Sequence, residues 1–301
     1  MVSALQGFAT IAIVIAAGYL LARRKLVAPT AQKALSDVAF FVGQPALVLI
    51  AVAGARLDLL FGWHVVAFGV ACISVGLVFA WLSSRRWGAT RGDAVVGYLA
   101  TSYVNAGNLG IPISAFMLGD PAWAAPAMLL QVIVLQPSAV AMLESSAAGK
   151  SVVRTFATHP LVLGGVAGVV LNLTNWRPPA LIWEPLQLFA NLAIPAMLLA
   201  FGMSLVTSPL PSLRAMSAQQ RAAIVAKTVV VPAVALAVGL LLGLTGIGLK
   251  AAVILAGLPT AQVVFVHALR YGVGLRLVQS TTMWSTVLCV PVILAAGALL
   301  P

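Results

Sequence analysis

The side chains in this chain that could hold a solute are amides rather than paired acids or a metal-ligand cluster. Residues 102 to 113 read Ser-Tyr-Val-Asn-Ala-Gly-Asn-Leu-Gly-Ile-Pro-Ile, so Asn105 and Asn108 fall inside an otherwise apolar segment. An amide offers two donors and an acceptor without the desolvation cost of a full charge, which suits it to a carboxylate in a low-dielectric site. Asn105 and Asn108 are candidate solute contacts; the plainer alternative is that they only cap an interrupted helix. A second polar group, Thr260 and Gln262 behind Pro259, sits in another apolar segment, and Gln131, Gln136 and Gln44 (beside Pro45) are further buried-amide candidates. Gln262 and the glutamines could equally serve helix–helix hydrogen bonding.

These residues need elements that bring them together. Asn105 and Asn108 are weak helix formers, Gly107 and Gly110 loosen the backbone, and Pro112 has no N–H to donate. The segment is predicted to break there, with Gly107 and Pro112 as hinges and Gly110 at the site. Pro259 is predicted to break the second segment in the same way. A backbone group freed in hydrocarbon costs on the order of several kcal/mol, so such breaks persist only where protein or a watery cavity satisfies them. Half-helices that restart beyond a break also turn a positive dipole end toward an anion.

The rest of the composition places these breaks in a membrane. Of 301 residues, 62% are hydrophobic and 8% charged, which no soluble exterior of this size requires. At roughly 20 apolar residues per span, ten spans nearly use up the chain. They are predicted at Leu5–Ala22, Ala31–Val52, Trp63–Leu82, Gly92–Leu118 (broken), Ala122–Leu143, Pro160–Leu173, Trp183–Val206, Arg221–Leu244, Leu249–Tyr271 (broken) and Val278–Leu300, with a polar loop from Glu144 to Thr158. The formal charge of +11 does not indicate nucleic acid, because the basic residues cluster between apolar segments. Thirteen of the 17 Lys and Arg follow odd spans, among them Arg23, Arg24, Arg85, Arg86, Lys150 and Arg270. The positive-inside rule then puts both termini outside the cytoplasm. No cleaved leader is expected, since the first apolar segment lacks a basic region before it.

Five spans lie on each side of the central loop, and an odd number makes the halves insert in opposite directions. The expected fold is all-α: ten transmembrane helices as two inverted five-helix repeats, residues 1–148 and 149–301, with helices four and nine broken and crossing. Pro45-Ala-Leu-Val-Leu is matched 150 residues later by Pro195-Ala-Met-Leu-Leu; Thr260 follows Asn105 by 155 residues, and Pro291 follows Pro137 by 154.

Other residues are given plainer roles. Lys227 is expected to lay its stem on apolar surface and reach the cytoplasmic headgroups, with an attractive charge on the path of an incoming anion as the alternative. His267 is read as a packed histidine, Cys72 and Cys289 as small hydrophobes, and Gly164 and Gly168 as a packing or dimer face. The six acids, Asp37, Asp58, Asp93, Asp120, Glu144 and Glu184, all fall near predicted span ends. Without a midplane carboxylate, the expectation is uniport, exchange, or coupling through carbonyls and amides. No cofactor or metal is expected.

With these residues in hand the chain resembles the auxin efflux carrier family, which includes the plant PIN-FORMED auxin exporters and bacterial carboxylate carriers. The likeness rests on Tyr103-Val104-Asn105 through Gly110-Ile111-Pro112-Ile113, on Pro195-Ala196-Met197-Leu198-Leu199-Ala200-Phe201-Gly202-Met203, and on Leu258-Pro259-Thr260-Ala261 through Arg270-Tyr271-Gly272. The resemblance implies a scaffold of spans one, two, six and seven, often dimeric, and a transport domain of the other six moving as an elevator. It implies a substrate site where spans four and nine cross; Gln44, beside Pro45, could face that site from the scaffold. Plant PIN-FORMED proteins carry proline where this chain has Val104, and many have a long central loop that is short here. Both differences point to a compact bacterial-type carrier of the plasma membrane. The expected function is secondary transport of small organic anions. An intramembrane enzyme would need a catalytic cluster at depth, and a channel a polar or charged ring lining a pore; neither motif is found.

Overall fold

A computed structural model describes residues 2–54, 62–148, 160–207 and 213–300. Among them helix is the only extended regular structure, and the one bridge between extended residues joins Val104 and Thr260. Apolar helices suit hydrocarbon because every N–H finds its acceptor within the same segment. In chain order the elements are α1 (Val2–Arg23), α2 (Ala31–Ala53), α3 (Trp63–Trp87), α4 (Arg91–Ser102), α5 (Ile111–Met117), α6 (Ala122–Leu143), α7 (Pro160–Thr174), α8 (Ala180–Thr207), α9 (Ala218–Leu241), α10 (Gly246–Gly257), α11 (Gln262–Tyr271) and α12 (Leu275–Leu299). Six of the described helices (α2, α3, α6, α8, α9 and α12) are long and apolar enough to cross a membrane.

The polar loop expected from Glu144 begins later. The helix that contains Gln136 continues to Ala148, and residues 149–159 lie outside the described residues. Acids near helix starts act as caps. Asp93 closes a capping box with Thr90 at α4, and Asp120 accepts from Ala122 N–H at 2.8 Å. Asp58 lies outside the described residues, as does the side chain of Glu144.

Among the described residues four π-helical turns interrupt the helical runs, at Ala39–Gly43, Ala106–Gly110, Gln131–Leu135 and Ala226–Val230. Each ends two residues before a proline: Pro45, Pro112, Pro137 and Pro232. A proline ring collides with the carbonyl four residues back and offers that carbonyl no N–H. Widening the preceding turn by one residue relieves the collision, and it rotates the side chains on that turn.

The chain divides into two compact units. One comprises Met1–Gly7, Arg56–Gln131 and Leu210–Pro301, and so holds α3 to α5, α9 to α12 and the first part of α6. The other comprises Phe8–Ala55 and Val132–Pro209, and so holds most of α1 with α2, α7, α8 and the end of α6.

Within the second unit, glycines let helix backbones touch. A Cβ on Gly18 of α1 would strike the Leu199 carbonyl of α8, and one on Gly168 of α7 would lie 2.7 Å from the Leu49 carbonyl of α2. Both partners repeat at one offset, since Gly168 follows Gly18 and Leu199 follows Leu49 by 150 residues. The same offset relates Gly43 to Ala193, and a Cβ on Gly43 would lie 2.8 Å from the Ala193 Cα. Gly164 is used likewise, against the Pro45 carbonyl at 2.6 Å, so the Gly164/Gly168 pair packs within its own unit. Asn172 finishes the α7–α2 contact by donating to the Val52 and Ala53 carbonyls at 2.9 and 3.1 Å, which caps the end of α2.

Gly18→Ala and Gly168→Ala should each destabilise the protein by about 1–3 kcal/mol, the usual cost of overpacking against backbone. In detergent their thermal midpoints should fall by several degrees. Gly165→Ala, whose new methyl would meet only side chains at 3.7 Å or more, should melt close to wild type.

Candidate functional site

The two interruptions lie in one unit and meet. The helix α4 stops at Ser102, where Tyr103 turns extended (φ −85°, ψ 113°). The helix α10 stops at Gly257, and Leu258 and Ala261 are extended at ψ 147° and 146°. Pro259 explains the second break, because the residue before a proline is pushed out of the helical region. No proline does this for the first break, where Val104 stands. There the extended backbone is held by its partner: Asn105 N–H donates to the Pro259 carbonyl at 2.7 Å, and Ala261 N–H to the Tyr103 carbonyl at 3.2 Å. This antiparallel bridge centres on Val104 and Thr260, an offset of 156 residues rather than the 155 that aligning Asn105 with Thr260 suggests.

Breaking a helix orphans carbonyls on one side and N–H groups on the other. In an unbroken helix Val104 N–H would serve the Ala100 carbonyl, and Thr260 N–H the Ala256 carbonyl. Here Val104 N–H donates to Gln131 Oε1, and Thr260 N–H to Ser285 Oγ at 3.1 Å. The abandoned Ala100 carbonyl accepts from Thr260 Oγ1 at 2.6 Å, and the abandoned Ala256 carbonyl from Lys227 Nζ at 3.3 Å. Each break thus has one side chain for its stranded donor and another for its stranded acceptor.

At the crossing itself Asn105 Nδ2 donates to Gln262 Oε1 at 3.1 Å, with both residues buried. That bond engages the Gln262 oxygen as the acceptor. Gln262 is also the first residue of α11, whose opening N–H groups and dipole carry partial positive charge. Gly110 lies at the crossing too, where a Cβ would come 3.1 Å from Leu258 Cδ1. Together these groups make a small neutral patch rich in donors.

The structure therefore brings together Asn105, Gly110, Pro259, Thr260, Gln262 and Gln131, with the Gln131 oxygen and the Thr260 hydroxyl engaged by backbone. Gly107 precedes Gly110 on the π turn and is half-buried. The side chains of Asn108 and Pro112 lie outside the described residues. Gln44 belongs to the other unit, where its Nε2 donates to Met197 Sδ at 3.0 Å. His267 is buried on α11. Among the described residues no group of three or more His, Cys, Asp or Glu could hold a metal.

Two positions that hold the breaks escape sequence reasoning. Ser285 is an ordinary serine in an apolar helix and becomes visible only through Thr260. Lys227 corrects an expectation: its side chain is fully buried, with Nζ on the Ala256 carbonyl, and does not reach headgroups. The signal available was Pro232, five residues on, which sets the π turn that re-aims Lys227 inward.

Thr260→Val strands the Ala100 carbonyl and Gln131→Leu strands the Val104 N–H, each at a cost of about 1–3 kcal/mol. Both should lower the thermal midpoint in detergent, whereas Thr260→Ser keeps the hydroxyl and should stay near wild type.

The profile of a family described as "Membrane transport protein" matches this chain twice, over residues 4–149 and 145–295. A protein of Rhizobium meliloti (strain 1021), named "Putative malonate transporter", is 30% identical over 235 residues, covering 74% of this chain and 72% of that protein. With two profile matches spanning nearly its whole length, the chain is an integral membrane protein and belongs to the auxin efflux carrier family of membrane transport proteins.

Proposed function

We propose that this chain is a secondary transporter for small organic anions, mono- or dicarboxylates, working by elevator-type alternating access. The observation that carries the reading is the pairing of two interrupted helices through Val104 and Thr260, with the Asn105–Gln262 amides at the junction. Discontinuous helices with polar groups at the break are a recurrent way to build a transporter site. In this reading Asn105 and the Gln262 –NH₂ group donate to the carboxylate, and Asn108, Gly110, Thr260 and Gln131 complete the site. The name of the Rhizobium relative favours a short dicarboxylate such as malonate among the substrates.

The architecture proposed with it has ten spans in two inverted repeats, residues 1–148 and 149–301. The repeated 150-residue spacing of the Gly18 and Gly168 contacts supports it, as does the double match of the family profile. The unit holding α2, α7 and α8 is the static scaffold, through which two copies pair. The unit holding the crossover is the one that moves. The excess of Lys and Arg after odd spans supports placing both termini outside the cytoplasm, in a bacterial plasma membrane.

Proteoliposomes loaded with unlabelled acid should take up labelled malonate, malate, pyruvate or indole-3-acetate by saturable counterflow. Losing one hydrogen bond to a charged carboxylate costs about 1.5–3 kcal/mol, so Asn105→Ala should weaken apparent affinity at least tenfold. Unchanged affinity and rate for every acid in that variant would remove Asn105 from the site. Non-saturable flux would indicate a channel, and hydrolytic turnover an enzyme.

A further inference from the structure

We propose that Lys227 is a built-in countercharge of the transport unit, so that a monovalent carboxylate crosses the membrane as part of a neutral complex. The inference rests on the elevator reading above and adds the charge of the moving body to it.

Among the described residues Lys227 is the one charged side chain in the buried core. Its ammonium bonds the Ala256 carbonyl at 3.3 Å, and the titratable groups that act on it electrostatically are the thiols of Cys72 on α3 and Cys289 on α12. Among the described residues no carboxylate is buried with it. Burying an ammonium without a counter-ion is costly, and such a residue in a membrane protein normally marks function. What stands in for an acid is the carbonyl end of α10, which carries about half a negative charge from its aligned peptide dipoles. That end exists only because the helix stops at Gly257. Two residues beyond the bonded carbonyl the chain enters the crossover, at Leu258.

The helix end compensates part of the ammonium charge and leaves the remainder directed at the crossover. A solute carboxylate held by Asn105 and Gln262 supplies the rest. Lys227 lies behind the backbone and is fully buried, so it is a positioning residue and not a direct ligand: it fixes the α10 end and sets the field there. The buried core of the loaded unit then carries +1 from Lys227 and −1 from a monocarboxylate. The core of the empty unit carries +1, and that of the dicarboxylate-loaded unit −1.

Counterflow isolates the loaded step, because the empty unit never has to cross. In proteoliposomes clamped by potassium and valinomycin, wild-type pyruvate counterflow should be the same at 0 and at 100 mV. Malate counterflow should fall several-fold at 100 mV, since one elementary charge weights the two loaded states about fifty-fold at that potential. In Lys227→Met, pyruvate counterflow should acquire the potential dependence of wild-type malate, and Lys227→Gln should do the same. A merely structural lysine would lower the rate in these variants without changing its response to potential. Wild-type pyruvate counterflow as steeply potential-dependent as that of wild-type malate would overturn the proposal even if neither variant folds. Saturable counterflow missing from the wild type altogether would overturn the transport reading as well, which separates the two failures.

Discussion

Everything at the crossover follows from the cost of leaving a peptide group unsatisfied where there is no water. A continuous apolar helix avoids that cost by construction. Stopping two helices inside a unit creates stranded donors and acceptors that only protein can meet. The structure meets them reciprocally, because α4 and α10 stop beside one another. Their extended residues pair as an antiparallel bridge, and Thr260 reaches across to the Ala100 carbonyl that the other helix abandoned. Neither break is satisfied alone; each completes the other. The crossover is therefore a single cooperative element, and its polar side chains are placed to within the tolerance of a hydrogen bond.

Proline organises the approach to this element more than the break itself. Of the two breaks, only the second has a proline in its extended stretch. Elsewhere Pro45, Pro112, Pro137 and Pro232 each follow a widened turn. Two of those turns present residues that hold the breaks: Gln131 opens one, and Lys227 is the second residue of another. An ordinary helical turn would carry these side chains to a different azimuth. The prolines thus act at a distance of about one turn, through helix register, on groups that satisfy backbone somewhere else.

Much of this was legible in the residues. Length and apolarity specify helices whose ends were predicted within a few residues, and weak helix formers at Asn105, Gly107 and Asn108 mark the first interruption. The Pro45 and Pro195 motifs carry the spacing at which Gly18 and Gly168 make equivalent backbone contacts. What could not be read was pairing between distant segments. Nothing local says that Ser285 takes the Thr260 N–H, or that the bridge is centred at a 156-residue offset. Lys227 was misplaced for a similar reason. Rules for a lysine near a span end assume a regular helix and a route to the headgroups, and a π turn facing a helix terminus supplies neither.

The chemistry of the site and the charge behind it answer opposite requirements. A solute that must be released again is poorly served by a direct ion pair in a dry site, since separating two desolvated charges costs far more than separating an anion from neutral donors. In the proposed carrier, amides at the junction hold a carboxylate through hydrogen bonds that water can replace. Yet an anion drawn into low dielectric still needs positive potential nearby. Setting the ammonium behind the α10 terminus supplies that potential through one layer of backbone, without a contact that must be broken on release. On the proposed reading, recognition by amides and attraction by a sealed charge are separated along the same interrupted helix, so acids that differ in shape share one electrostatic environment while the neutral groups at Asn105 and Gln262 discriminate among them.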